Sequence, residues 1–110
     1  MRMTSPLIRA AMIACAFSIP ATCNAQADAA KIFGANCSLC HSSNGSGDSP
    51  TGKALHAKDL RSDEVQKEDD VTLNAAITKG KGKMPAFGAK LKADDVTKLV
   101  AYIRQLPTQK

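Results

Sequence analysis

The sequence predicts an all-α fold, and three features of the 110-residue chain support that prediction. Apolar residues recur at three- and four-residue steps in several segments, as they do on one face of a helix. No segment alternates apolar and polar residues in the way that a half-buried strand does. Capping residues and glycines stand at the ends of the periodic segments. We therefore expect helices joined by loops in a single domain, because the length allows no more.

The N-terminus has the character of an export signal rather than of a folded domain. Arg2 and Arg9 precede an apolar run over residues 10–19, and the small residues around Ala25 and Ala27 form a cleavage site. The run is too short to cross a bilayer as a helix.

This pattern predicts a signal peptide over residues 1–27, export to the periplasm and a mature domain over residues 28–110 that does not span the membrane. A lipoprotein acylated at Cys15 or Cys23 is the weaker alternative.

Removal of the signal changes what the composition allows. Only two thiols then remain, Cys37 and Cys40, and no third cysteine is left for a structural disulfide. The remaining chain keeps 13 basic and 10 acidic residues, a net charge of +3. This small excess, without a basic stripe along any helix, argues against nucleic-acid binding. Phe33, Phe87 and Tyr102 are its only aromatic residues, so the core is thin unless something else fills its centre.

The first predicted helix runs from Ala29 to about Ser38. Asp28 is a suitable N-cap, and Ile32 and Phe33 lie on the face that repeats at helical spacing. The core face of this helix continues directly into Cys37-Ser38-Leu39-Cys40-His41.

That pentapeptide has the spacing of a c-type haem attachment site. On a helix the two cysteines lie three apart on one face, so both sulfurs can reach neighbouring vinyl groups of one ring, and His41 can point at the iron. A thioredoxin-like redox pair would need an α/β context that the pattern lacks. A zinc site would have to use Cys37, Cys40, His41 and His56 alone. The motif therefore predicts one covalently attached haem c.

The middle of the chain is predicted to contain a loop and two short helices. Residues 42–52 are rich in Ser, Gly, Asn and Asp and form the loop. Within it, Pro50 is either a simple turn proline or the residue whose carbonyl accepts a hydrogen bond from His41 Nδ1 and so fixes the imidazole ring. Ser62 caps one short turn of helix, and Asp69 or Asp70 caps a helix over residues 71–79 that Gly80 ends.

Met84 is the only methionine left after removal of the signal. A lone methionine usually fills a gap in a core. This one lies in a Gly-rich loop that Pro85 stiffens, which suits a ligand better than a packing residue. A soft thioether opposite histidine raises the potential of the iron and favours electron transfer.

The last predicted helix spans about residues 93–106. Asp94 and Asp95 suit its first turn, Arg104 its last, and Pro107 stops it. Its apolar residues at helical spacing are Val96, Leu99, Val100 and Ile103.

With these elements in place, the chain resembles the class I c-type cytochromes over nearly all of residues 28–110. Four segments carry the resemblance: Ala-Lys-Ile-Phe before the haem site, Cys-Ser-Leu-Cys-His itself, Met-Pro-Ala-Phe-Gly in the loop and Leu-Val-Ala-Tyr-Ile near the end. The resemblance implies a small cytochrome c fold of three to five helices around one haem, with His41 and Met84 as axial ligands. It also implies that the terminal helices cross through Phe33, Leu99 and Tyr102.

The sequence departs from the family pattern at Ala29, where a glycine is usual at the helix crossing, and at Lys92, where a Ser or Thr cap is common. The tryptophan that binds a propionate in many members is absent.

The resemblance implies an electron carrier and not an enzyme, exchanging electrons with redox proteins. We expect a monomer whose Lys79, Lys81 and Lys83 face acidic docking surfaces, although these lysines equally suit a solvated loop. The alternatives are a haem subunit of one oxidoreductase and, if Met84 does not bind, a ligand-binding sensor. Coordination by His56 in place of Met84 is a further alternative.

Overall fold

The computed structural model describes residues 22–109. Residues 1–21, most of the expected signal peptide, lie outside this range, as does Lys110. The described part consists of helices joined by loops, as predicted, and its only β-type pairing is one isolated bridge between Lys81 and Met84. Four of its α-helices are longer than one turn, and the other two, α2 and α4, are four-residue turns. The helices are α1 (Thr22–Asn36), α2 (Ser38–His41), α3 (Pro50–Leu55), α4 (Asp63–Gln66), α5 (Asp70–Lys79) and α6 (Ala93–Gln105).

Helix α1 differs from its prediction at both ends. It already includes Thr22, so Asp28 lies inside the helix and its prediction as N-cap is wrong, because residues 22–27 continue the helix upstream. At the other end the helix stops at Asn36, and Cys37 separates it from α2.

The terminal helices cross as predicted, and their contact forms the centre of the core. Ala29 on α1 is 1% exposed, which allows a close approach although a methyl group stands at the crossing. Phe33 and Leu99 are fully buried, and the rings of Phe33 and Tyr102 lie 5.2 Å apart at an angle of 49°. Tilted aromatic pairs at this distance stabilise a core beyond the area that they bury.

The segment predicted as loop over residues 42–52 is helical from Pro50 onwards. Ser49 caps α3 by accepting a hydrogen bond from the Gly52 N–H, and Pro50 occupies the first turn, where its missing N–H costs nothing. The helix ends at His56, which has a left-handed backbone with a φ of 56°.

The caps predicted for α4 and α5 are confirmed. The Ser62 hydroxyl accepts from the Val65 N–H, the Asp69 carboxylate accepts from the Thr72 N–H at 2.7 Å, and Gly80 ends α5. At the start of α6, Lys92 has no capping side chain of its own, and the Asp95 carboxylate accepts from its N–H at 3.2 Å.

Helix α6 ends at Gln105, and a 3₁₀ turn over Leu106–Gln109 takes in Pro107. Near this end, Arg104 holds the junction between α4 and α5. Its guanidinium donates to the Gln66 carbonyl at 2.9 Å, to the Glu68 carbonyl and to the Asp70 carboxylate at 2.9 Å. None of the helices within residues 22–109 has the length and apolar character needed to cross a bilayer.

Candidate haem-binding site

Cys37, Cys40 and His41 are brought together by the break between α1 and α2. The Cys37 N–H still donates to the Phe33 carbonyl at 2.8 Å, and the His41 N–H donates back to the Cys37 carbonyl at 2.9 Å. The chain therefore stays helical across the break, and the three side chains belong to one turn. All three are partly exposed, and both thiols are free.

The Cys37 thiol packs against the buried core. Burial raises the pKa of the Cys37 thiol to about 11, and the charge of Cys40 acts in the same direction. Within residues 22–109 no cluster of three His, Cys, Asp or Glu side chains has the arrangement of a metal site.

The imidazole of His41 is hydrogen-bonded to Lys58 and not to Pro50. His41 Nδ1 lies 2.9 Å from the Lys58 carbonyl oxygen, so Nδ1 carries the proton and donates it. The prediction of Pro50 for this role is wrong, because Pro50 begins α3 and its backbone belongs to that helix. With Nδ1 occupied by the proton, Nε2 is the nitrogen with a lone pair to offer, and its ring is held in one orientation.

Helix α3 and its N-cap contact the Cys37–His41 motif through Ser49 and Gly52. The Ser49 hydroxyl donates to the Leu39 carbonyl at 2.7 Å. Gly52 packs so closely that a Cβ atom built on it would lie 2.1 Å from the Cys40 carbonyl oxygen. Only a residue without a side chain permits this approach.

The loop before α3 is held by one carboxylate. Asp48 accepts hydrogen bonds from the hydroxyls of Ser46 at 2.6 Å and Ser42 at 2.9 Å. These bonds lower the pKa of Asp48, that of Ser46 having the larger effect. The Ser42 hydroxyl in turn accepts from the Ser49 N–H at 2.9 Å, so the loop is joined to the start of α3.

Met84 lies at the end of a tight backbone hairpin. The Lys81 N–H donates to the Met84 carbonyl at 3.1 Å, and the Met84 N–H donates to the Lys81 carbonyl at 3.0 Å. Gly80 opens the hairpin with a φ of 78°, and a Cβ atom there would lie 2.7 Å from the Met84 carbonyl oxygen. The turn thus requires glycine for its backbone and for space.

The residues after Met84 return to the last turn of α5. The Phe87 N–H donates to the Ile77 carbonyl at 2.9 Å, and the Gly88 N–H donates to the Thr78 carbonyl at 3.1 Å. The loop that carries Met84 is therefore tied down on both sides of the sulfur.

The remaining predicted site residues are charged or imidazole groups at the surface. Lys79, Lys81 and Lys83 are exposed, as predicted, and the Lys81 Nζ lies 3.8 Å from a Glu68 carboxylate oxygen. His56 is exposed at the end of α3.

The donors fit an apolar group that carries a metal. Cys37 and Met84 both pack against the buried core and are themselves incompletely covered. The other partly buried apolar side chains that pack against the core are Ile32, Phe87, Leu91 and Tyr102. Thiols for covalent attachment, one oriented imidazole and one thioether are the donor set that a c-type haem uses.

The sequence and fold match known c-type cytochromes. A family model described as "Cytochrome C oxidase, cbb3-type, subunit III" matches residues 24–103. Cytochrome c6 of Picosynechococcus sp. is 34% identical over 93 residues, which cover 80% of this chain and 79% of that protein. Cytochrome c6 of Nostoc sp. is 34% identical over 97 residues, which cover 88% and 85%.

Among solved structures, the KustC0563 c-type cytochrome is similar with a TM-score of 0.67 and 28% sequence identity, over 72% of this chain and 96% of that one. The chain belongs to the class I c-type cytochromes. This cytochrome binds one haem c covalently, and it is an electron-transfer protein with redox partners rather than an enzyme.

Proposed function

We propose that the protein is a periplasmic electron carrier in which Cys37 and Cys40 attach the haem and His41 and Met84 bind its iron. The observation that carries this proposal is the hydrogen bond between His41 Nδ1 and the Lys58 carbonyl, which leaves Nε2 free to coordinate a metal. The haem supplies a one-electron iron couple, and the chain holds and tunes it.

Each residue then has a separate task. Cys37 and Cys40 hold the ring by thioether bonds, so it is retained without strong packing. His41 gives a strong nitrogen ligand, because the Lys58 carbonyl makes the ring a better donor. Met84 would supply a thioether ligand to the iron, which would raise the potential and keep exogenous ligands out.

A monomeric carrier exported by a signal peptide over residues 1–27 is consistent with the pattern of the N-terminus. The mature chain would begin at Asp28, and the mass of the exported protein tests this cleavage. Its exposed lysines beside Met84 would face redox partners with acidic docking surfaces.

A second candidate function is that of a haem subunit in one oxidoreductase. The description of the matching family model, subunit III of a cbb3-type oxidase, favours it. A carrier purifies free after mild extraction, whereas a subunit purifies in a stable complex.

Replacement of Met84 tests the carrier function directly. With Met84 bound, the oxidised protein should show a weak near-infrared iron–sulfur band, and the reduced protein should exclude carbon monoxide. Met84→Ala should remove the band, lower the potential and admit carbon monoxide. His56→Ala is the matched control and should change none of these, because His56 is solvated at the end of α3. Ready binding of carbon monoxide by the wild type would instead favour a sensing function.

A further inference from the structure

Two ion pairs join lysines of other segments to acidic residues on α4 or just after it. The Lys58 Nζ lies 2.6 Å from a Glu64 carboxylate oxygen, and the Lys81 Nζ lies 3.8 Å from a Glu68 carboxylate oxygen. Glu64 belongs to α4, and Glu68 follows two residues after the end of that helix. The two acidic residues are four apart, so α4 and the two residues that follow it carry both.

Each lysine belongs to a segment that holds one of the proposed axial ligands. Lys58 provides the carbonyl that lies 2.9 Å from His41 Nδ1. Lys81 is the reciprocal backbone partner of Met84 in the hairpin. The segment next to His41 and the segment next to Met84 are thus both paired to α4 or to the residues just after it. The two lysines that make these pairs are 23 residues apart in the chain.

Helix α4 is itself fixed to the core. Val65 is 6% exposed and belongs to the buried cluster. The Gln66 amide donates to the Leu60 carbonyl at 2.7 Å and to the Ile103 carbonyl at 3.1 Å. Arg104 donates to the carbonyls of Gln66 and Glu68. The backbone that carries Glu64 and Glu68 is therefore held by the core and not by the two loops.

We propose that Glu64 and Glu68 are positioning residues. Glu64 holds the Lys58 segment against His41, and Glu68 holds the Lys81–Met84 hairpin in place. Both act from the same support, which is α4 and the two residues after it. This inference rests on the proposed function, since it concerns the residues that hold His41 and Met84.

The expected size of the effect of these ion pairs on ligand retention follows from the exposure of their side chains. The side chains are 61% and 67% exposed in the Lys58–Glu64 pair, and 67% and 32% exposed in the Lys81–Glu68 pair. Exposed pairs contribute little and are screened by salt. The effect on ligand retention is accordingly small at low ionic strength and absent at high ionic strength.

Displacement of Met84 by imidazole in the oxidised holoprotein measures the role of Glu68. Glu68→Gln should lower the apparent Kd for imidazole about two- to fivefold at low salt. Loss of the near-infrared band during the titration measures this Kd. In about 0.5 M salt the wild type should approach the variant, because its ion pair is then screened. Asp63→Asn is the matched control: it removes the same charge from α4, and Asp63 has no ion pair among the described residues.

The exchanged pair, Glu68→Lys with Lys81→Glu, should restore the wild-type Kd at unchanged net charge. Equal Kd values for Glu68→Gln and Asp63→Asn, or no recovery in the exchanged pair, would overturn the proposal for Glu68. A wild type without the near-infrared band would overturn Met84 coordination instead, before any variant is compared.

The role of Glu64 requires a signal that reports on His41. Glu64→Gln should shift the haem methyl resonances in the proton NMR spectrum of the oxidised protein, because these resonances depend on the orientation of the axial ligands. Asp63→Asn should leave the pattern as it is. Identical patterns in the wild type and Glu64→Gln would show that the Lys58–Glu64 pair does not position His41.

Discussion

At the scale of single residues, the attachment motif depends on a missing side chain at Gly52. Helix α3 approaches the Cys40 carbonyl so closely that no methyl group fits between them. The same contact brings Ser49 within 2.7 Å of the Leu39 carbonyl. The motif thus rests on a helix whose position is set by one glycine.

Gly52→Ala should lower the free energy of unfolding of the holoprotein by about 1–3 kcal/mol, because the added methyl group forces α2 and α3 apart. Gly34→Ala is a suitable control, since Gly34 lies inside α1 and a Cβ atom added there would have nothing within 4 Å. That substitution should raise the free energy of unfolding by about 0.5–1 kcal/mol. Denaturant titrations of both variants measure the difference, and equal effects would contradict the packing argument.

The spacing predicted that Cys37, Cys40 and His41 lie on one helical turn, as the structure shows, whereas the hydrogen-bond partner of His41 was not predictable. The hydrogen bond from His41 to Lys58 joins residues 17 apart in the chain. Which backbone carbonyl lies next to His41 Nδ1 depends on how the intervening chain folds. Ser49 followed by Pro50 is a helix-start signal, and the loop prediction for residues 42–52 did not take it into account. Nothing in the local sequence identifies Lys58.

At the scale of elements, α5 sets where the Met84 hairpin begins. Asp69 fixes its first turn, Leu73 and Ile77 are buried, and Gly80 ends it immediately before the hairpin. Its cap is an ionised group. Hydrogen bonds from the hydroxyl and the N–H of Thr72 hold the pKa of Asp69 below its ordinary value of 3.8.

A lowered pKa makes the cap sensitive to acid. The stabilisation by Asp69 is complete well above pH 3.8, where the carboxylate is ionised in both the folded and unfolded states, and it is lost as the pH falls from there through the lower folded pKa. Asp69→Asn keeps a capping oxygen without a titrating group. Its stability should therefore fall less than that of the wild type below pH 3.8. Circular dichroism melts across this range measure the change, and parallel curves would contradict it.

The long helices were predictable because their apolar faces repeat over ten or more residues. The periodic pattern identifies the buried face of α6, and caps locate α4 and α5. The start of α1 was not predictable from Asp28, since residues 22–27 also favour helix and continue it. The pairing of α4 with Lys58 and Lys81 is tertiary and leaves no periodic signal.

At the scale of the whole molecule, the charges beside Met84 are not equivalent. Lys81 faces Glu68 within the same chain, whereas Lys83 has no ion pair among the described residues. A partner with an acidic surface would therefore gain more from Lys83, because Lys81 is already partly neutralised.

Lys83→Glu should slow electron exchange with an acidic redox partner more than Lys81→Glu does at low ionic strength, and both rates should approach the wild-type rate at high salt. Lys31→Glu makes the same charge change on α1, outside the ligand loop, and serves as the control. Stopped-flow rates across ionic strengths measure the effect. Equal slowing by Lys31→Glu would indicate net charge alone rather than a docking surface.

The hydrogen bonds on both sides of Met84 also bear on the speed of electron transfer. Lys81 holds its backbone from one side, and Phe87 and Gly88 tie the following residues to α5. If Met84 binds the iron as proposed, these bonds restrain the backbone that carries the sulfur when the charge of the iron changes. In that case the reorganisation energy that this loop contributes to each transfer is small, and a modest difference in driving force suffices to move an electron in either direction.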